Sequence, residues 1–172
     1  GERKVSAVCG YDGDETTIEI PTDLDGVPIT RLDQFCLISD TVETIIIPNE
    51  IKTIYAAHQI ISNVYCGPDV YIHCLEGTKL KEIIVEEGNS RFWSEDGILY
   101  EGCNLCFYPP EKTEEEYIVP TIINEIKSCA MYYQKHLKNV TITENVQMID
   151  EDAFPATIEN LYFYSIQDVV SN

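Results

Sequence analysis

Leu137-Lys138-Asn139-Val140-Thr141-Ile142-Thr143-Glu144-Asn145-Val146-Gln147-Met148-Ile149 carries two apolar signatures in one short run. The first, Leu137-x-x-Val140-x-Ile142, ends in a period-two alternation. That places Val140 and Ile142 on one face of a strand and Thr141 on the other. The second, Val146-x-x-Ile149, keeps a three-residue step and is followed five residues on by Phe154. The triplet recurs as Ile18-Glu19-Ile20, Ile45-Ile46-Ile47, Ile83-Ile84-Val85, Tyr117-Ile118-Val119 and Leu161-Tyr162-Phe163, and three of these run into Pro21, Pro48 or Pro120. An apolar residue stands three positions ahead at Val42, Leu80 and Ile158 as it does at Leu137. The second signature returns at Ile29-x-x-Leu32, Ile51-x-x-Ile54 and Ile123-x-x-Ile126, with Leu37 and Met131 in the place that Phe154 takes.

Two short segments per repeat, both pointing apolar residues inward, describe one coil of a solenoid. No single coil buries its apolar side alone, so neighbouring coils must stack to close the core. A β-sandwich also supplies alternating triplets, but it does not predict the second signature at a fixed offset. The spacing widens from Ile45 to Ile83 and again from Ile83 to Tyr117, which predicts two insertions, one over Tyr55 to Thr78 and one over Glu87 to Glu116.

Three stretches resemble the BspA-like leucine-rich repeat family, over roughly Val5 to Tyr164. The entry segment reads Gly10-Tyr11-Asp12-Gly13, Ile18-Glu19-Ile20-Pro21 and Asp25-Gly26-Val27-Pro28-Ile29-Thr30-Arg31-Leu32. Glu87-Gly88-Asn89-Ser90-Arg91-Phe92-Trp93-Ser94-Glu95-Asp96-Gly97-Ile98-Leu99-Tyr100, followed by Leu105-Cys106-Phe107-Tyr108-Pro109, is similar to the hairpin insertion of that family and is the most specific match. Val146 through Phe154 is a nearly intact repeat. Independently of the resemblance, Asp96-Gly97 between apolar segments is a tight-turn dipeptide. Glu114 and Thr121 depart from the regular spacing, and Tyr55 to Thr78 fits no repeat. The resemblance implies a secreted or surface-displayed bacterial protein, its signal peptide removed, that binds a protein or glycan of a host, a neighbouring cell or a matrix. It implies no catalysis, and it carries function only by analogy.

Composition narrows the classes. Among 172 residues, 11 basic and 30 acidic side chains leave a net charge of −19, which opposes binding to nucleic acid or an anionic lipid surface. The 44% apolar content supports a core, and no apolar run is long enough for a membrane-spanning helix. The seven cysteines, Cys9, Cys36, Cys66, Cys74, Cys103, Cys106 and Cys129, are odd in number and irregular in spacing, unlike a small disulfide scaffold.

Cys103-x-x-Cys106 has redox or metal-ligand spacing, yet a second such pair is missing for a four-thiolate zinc site, and the motif falls inside the expected hairpin instead of opening a helix. His58, His73 and His136 form no ligand motif. Asp12-Gly13-Asp14-Glu15 reads as a turn, because its glycine is misplaced for a calcium loop. Cys36, His58, Cys129 and Asp152 follow the second signatures of different coils by three or four residues, and their variety argues against a metal ladder. No cofactor is expected.

The expected fold is a leucine-rich repeat solenoid, mainly β, of right-handed coils with short irregular or 3₁₀ second segments and a β-hairpin insertion. A single domain over residues 1–172 would hold about six irregular coils. The middle residue of each triplet then faces outward. Reading along the coils gives Glu19, Ile46, Ile84, Ile118, Thr141 and Tyr162, and three consecutive isoleucines there suggest a partner-binding strip. Ile46, Ile84, Ile118, Thr141 and Tyr162 are the candidate binding residues, and burial of this face by the insertions is the competing expectation. A structural spacer within a surface protein and a thiol-redox protein using Cys103 and Cys106 are the alternatives in function.

Overall fold

A computed structural model describes residues 6–8, 13–32, 41–54 and 79–164, with backbone alone at 6–8 and at Ile54. Cys9, Cys36, Cys66, Cys74, His58, His73, Leu37 and the expected insertion at 55–78 lie outside the described residues. In chain order the strands are β1 (Ser6–Val8), β2 (Thr17–Glu19), β3 (Asp23–Leu24), β4 (Val27–Leu32), β5 (Thr44–Ile47), β6 (Thr53–Ile54) and β7 (Glu82–Val85). There follow β8 (Phe92–Glu95), β9 (Ile98–Glu101), β10 (Asn104–Phe107), β11 (Glu116–Ile118), β12 (Glu125–Ile126), β13 (Asn139–Ile142), β14 (Met148–Ile149) and β15 (Asn160–Phe163).

Each of the six alternating triplets falls on a strand of one column, and together they delimit a solenoid of about five turns. β2, β5 and β7 pair in parallel, with Glu19, Ile46 and Ile84 in register. β11, β13 and β15 do the same, with Ile118, Thr141 and Tyr162 in register. The flanking apolar residues point inward: Ile45, Ile47, Ile83, Val119, Val140 and Ile142 are all buried. Val42, Leu80 and Leu137, three residues ahead, are buried as well. Each such side chain contributes about 1.5–3 kcal/mol on leaving water, and only stacking of coils removes it from water.

The corner before β5, β7, β13 and β15 repeats one hydrogen-bond device. Glu43 N and Thr44 N both donate to Thr16 O, Lys81 N and Glu82 N to Glu43 O, Lys138 N and Asn139 N to Glu115 O, and Glu159 N and Asn160 N to Lys138 O. Two consecutive amides thus share a carbonyl of the coil below, which satisfies backbone donors that a strand end leaves unpaired. The second signatures also form strands, not the irregular or 3₁₀ segments expected. β4 pairs with β6, and β10, β12 and β14 pair in parallel, with Leu105, Ile126 and Ile149 in register. Stacking puts these two-residue stretches beside their equivalents, and the ladder bonds hold them extended.

The hairpin β8–β9, continued by β10, is built into the stack. Period-two alternation along β9 divides its side chains between two cores. Leu99 packs with Phe92, Cys106 and Phe107 toward the earlier coils, while Ile98 and Tyr100 pack with Leu105 and Tyr108 toward the later ones. At its tip, Gly97 O accepts from Ile83 N at 2.9 Å, and a Cβ on Gly97 would fall 2.6 Å from that of Glu82. Asn89 staples the base of the hairpin to the coil below. Its Nδ2 donates to Pro48 O and Ile51 O at 3.1 and 3.0 Å, and its Oδ1 accepts from Arg91 N and Phe92 N at 3.0 and 3.1 Å.

Candidate functional site

The outer sheet face carries the six middle residues in two groups of three. Glu19, Ile46 and Ile84 lie across one three-stranded sheet, and Ile118, Thr141 and Tyr162 lie across another. The hairpin tip at Glu95 to Ile98 stands between β7 and β11, so Ile84 and Ile118 are on non-adjacent strands. Ile84 is 41% exposed, Ile118 67% and Tyr162 51%, while Ile46 and Thr141 are half-buried. Exposed isoleucine and tyrosine flanking a threonine on adjoining strands make a mixed apolar and hydroxyl surface.

The hairpin tip and β11 enclose a second feature, a cleft of about 230 Å³. Sequence reading places the hairpin but not this cleft, because the facing segments meet only through the stacking. Tyr100, Tyr108 and Tyr117 form its floor, and Ile98, Ile118 and Pro120 its apolar walls. The hydroxyls of Tyr100 and Tyr117 are hydrogen-bonded to each other at 2.9 Å, and the rings of Tyr108 and Tyr117 meet edge to face at 5.1 Å. Trp93 stacks on Tyr100 at 4.1 Å. Burial pushes the Tyr100 phenol up to about 12 against the pull of its bond to Tyr117, with Glu95 and Asp96 adding to the rise. Tyr108 and Tyr117 are raised too, first by burial and then by neighbouring phenols and carboxylates.

Carboxylates of Glu95, Asp96, Glu114 and Glu116 line the mouth with one ammonium, Lys112. Lys112 Nζ donates to Asp96 O at 2.7 Å and to Glu114 Oε1 at 3.2 Å, and it sits 5.8 Å from the Tyr108 ring centroid. Glu114 is held below the usual carboxylate range, because hydrogen bonds from backbone and Lys112 outweigh its partial burial.

The Cys103-x-x-Cys106 pair is divided by the hairpin. Cys103 is an exposed free thiol beside the β9–β10 turn, and Cys106 is a free thiol packed into the earlier core. Burial, reinforced by Glu101, pushes Cys106 up to about 12. The thiolate is the reactive form, so this sulfur is inert near neutral pH. Cys129 and Asp152, read as equivalent, are both left-handed, with φ of 57° and 55°. Their shared place is set by backbone conformation. Among the described residues no group of three or more His, Cys, Asp and Glu converges as a metal site would require.

No protein-family model matches the chain, and no curated protein matches it. Among solved structures it is similar to the pneumococcal vaccine antigen PcpA, with 22% identity and a TM-score of 0.56 over 78% of this chain and 31% of that one. It is also similar to a leucine-rich cell-surface protein from Faecalibacterium prausnitzii A2-165, with 18% identity and a TM-score of 0.58 over 86% of this chain and 41% of that one. The chain therefore spans well under half the length of either neighbour. Parallel stacked coils, two strand columns and these likenesses agree with the BspA-like resemblance on one fold, and the chain is a leucine-rich repeat solenoid.

Proposed function

We propose that the chain is a non-enzymatic binding module of a secreted or surface-displayed bacterial protein, recognising a protein or glycan on another cell or matrix. The observation that carries this reading is the outward face of the β11–β13–β15 sheet. There Ile118 and Tyr162 stand exposed on either side of Thr141, with their strands fixed by parallel pairing. Solvated sheets usually place polar residues at such positions, and an exposed apolar patch marks a contact surface. The two structural neighbours are described as a cell-surface protein and a vaccine antigen, which supports display outside the cell.

A second reading, a structural spacer, is favoured by Leu161 and Phe163. These inward positions of β15 remain 39% and 70% exposed, as in a coil that stacks against another. An array of matrix proteins and glycans separates the two. The binding reading expects capture of at least one feature by the wild-type chain, and its loss in Ile84→Asp or Tyr162→Asp with thermal unfolding unchanged. Capture that persists in both variants removes the sheet face as the contact. An array without any captured feature favours the spacer.

A further inference from the structure

The cleft between the hairpin tip and β11 has a composition that selects its occupant. Four carboxylates face it against one ammonium, and that ammonium is already spent on Glu114 and the Asp96 carbonyl. No described cation pairs with Glu95, Asp96 or Glu116, so the mouth carries excess negative charge. Beneath it lies the independent observation. Tyr108 is only 1% exposed and lines the cleft, yet no described group hydrogen-bonds its hydroxyl. That hydroxyl is open to the cleft, since the fully buried side-chain oxygens without a partner among the described residues are those of Asn49 and Thr143, so a ligand group entering the cleft can bond it. The volume of about 230 Å³ lies below the ~300–1,000 Å³ of ordinary small-molecule clefts. It suits one side chain, not an oligosaccharide.

We infer that this cleft receives a single lysine or arginine side chain of a partner protein. The aliphatic stem would lie along Ile98, Ile118 and Pro120. The charged head would meet the carboxylates at the mouth, or reach inward to the tyrosine oxygens. Lys112 already shows an ammonium held among these groups, above the Tyr108 ring. Ile118 belongs to both the cleft wall and the exposed sheet, so a partner on the sheet face can seat such a side chain without a second docking event.

The inference rests on the partner-binding role proposed above but is tested separately, because Ile84→Asp and Tyr162→Asp alter no residue of the cleft. The probes are capped arginine and capped lysine, each an Nα-acetyl, N-methylamide derivative, with capped citrulline as the uncharged isostere and putrescine as a free amine. Trp93, the single tryptophan of the chain, stacks on Tyr100 and reports occupancy by fluorescence, while backbone amide shifts locate the site. Expected is saturable binding of the arginine or lysine probe, weakening with salt, with shifts confined to Glu95 to Ile98 and Glu114 to Ile118. Glu95→Gln with Glu116→Gln should weaken it about three- to tenfold, as loss of two exposed ion pairs implies. Tyr108→Phe should weaken it while preserving the fold. Equal binding of citrulline, affinity unchanged in the double glutamine variant, or shifts elsewhere would overturn the site. Tighter binding of putrescine than of either capped amino acid would overturn the assignment to a partner side chain.

Discussion

At the scale of single residues, backbone conformation and burial decide more than side-chain chemistry. Gly97 and Gly102 both adopt positive φ, 76° and 56°, but only Gly97 has a neighbour where a Cβ would go. Gly102→Ala should cost about 1–2 kcal/mol, the price of a left-handed alanine. Gly97→Ala should cost about 1–3 kcal/mol more, the range an overpacked contact adds, because its Cβ would meet Glu82 Cβ and Cα. Urea midpoints of the two variants measure the difference, and equal losses would mean that the tip does not press on β7. The buried phenols make a second expectation. The folded pKa of Tyr100 is raised from its ordinary 10 to about 12, so the native state holds its proton where the unfolded chain releases it. Its stabilising contribution is therefore whole below pH 10 and is lost as pH rises through about 12, on the order of 2 kcal/mol. Tyr108 and Tyr117 shift in the same direction and extend the window upward. Urea titrations between about pH 9 and 12 should show a decline that Tyr100→Phe reduces.

At the scale of elements, the strands were legible and the hairpin was half legible. Six triplets predict strand positions because an inward pair at period two has one way to face a core, whereas the four second signatures, with their three-residue step, read as irregular or 3₁₀ segments and become strands through stacking. Asp96-Gly97 predicts the turn for an equally local reason. What sequence does not reveal is that the hairpin stands inside the column, sharing β9 between two cores, because Leu99 and its neighbours Ile98 and Tyr100 all read simply as apolar. The tyrosine-floored cleft follows from that insertion and was illegible for the same reason, whereas the outward residues Ile118, Thr141 and Tyr162 could be named from alternation alone. The turn after β12 shows how a polar residue is used between elements. Gln134 is 2% exposed; its Nε2 donates to Lys112 O, and its Oε1 accepts from His136 N and Leu137 N. Gln134→Leu keeps similar bulk but strands these backbone groups, so a loss of about 2–4 kcal/mol is expected from buried unsatisfied partners. A calorimetric scan measures it. A change below about 0.5 kcal/mol, the usual range of an uninvolved surface site, would mean that water replaces the glutamine.

At the scale of the whole molecule, the net charge of −19 and the one-dimensional stacking act together. Each coil touches only those above and below, so stability is a sum of coil and interface contributions, and an end coil with one neighbour opens most easily. β13 lies between β11 and β15, with Val140 and Ile142 buried, whereas β15 has only β13 beside it among the described strands. Its inward Leu161 and Phe163 are exposed, and Glu159 beside them adds like charge to the acidic chain. Native-state hydrogen exchange should therefore show the bonded amides of β15 opening well before those of β13. The gap should exceed about tenfold if one interface is worth more than about 1.4 kcal/mol. Added salt should narrow the gap by screening repulsion between the acidic corners. Uniform exchange across β11, β13 and β15 would instead mean that the stack opens as one cooperative unit, with the hairpin, whose β9 packs into both cores, binding the coils on either side of it together.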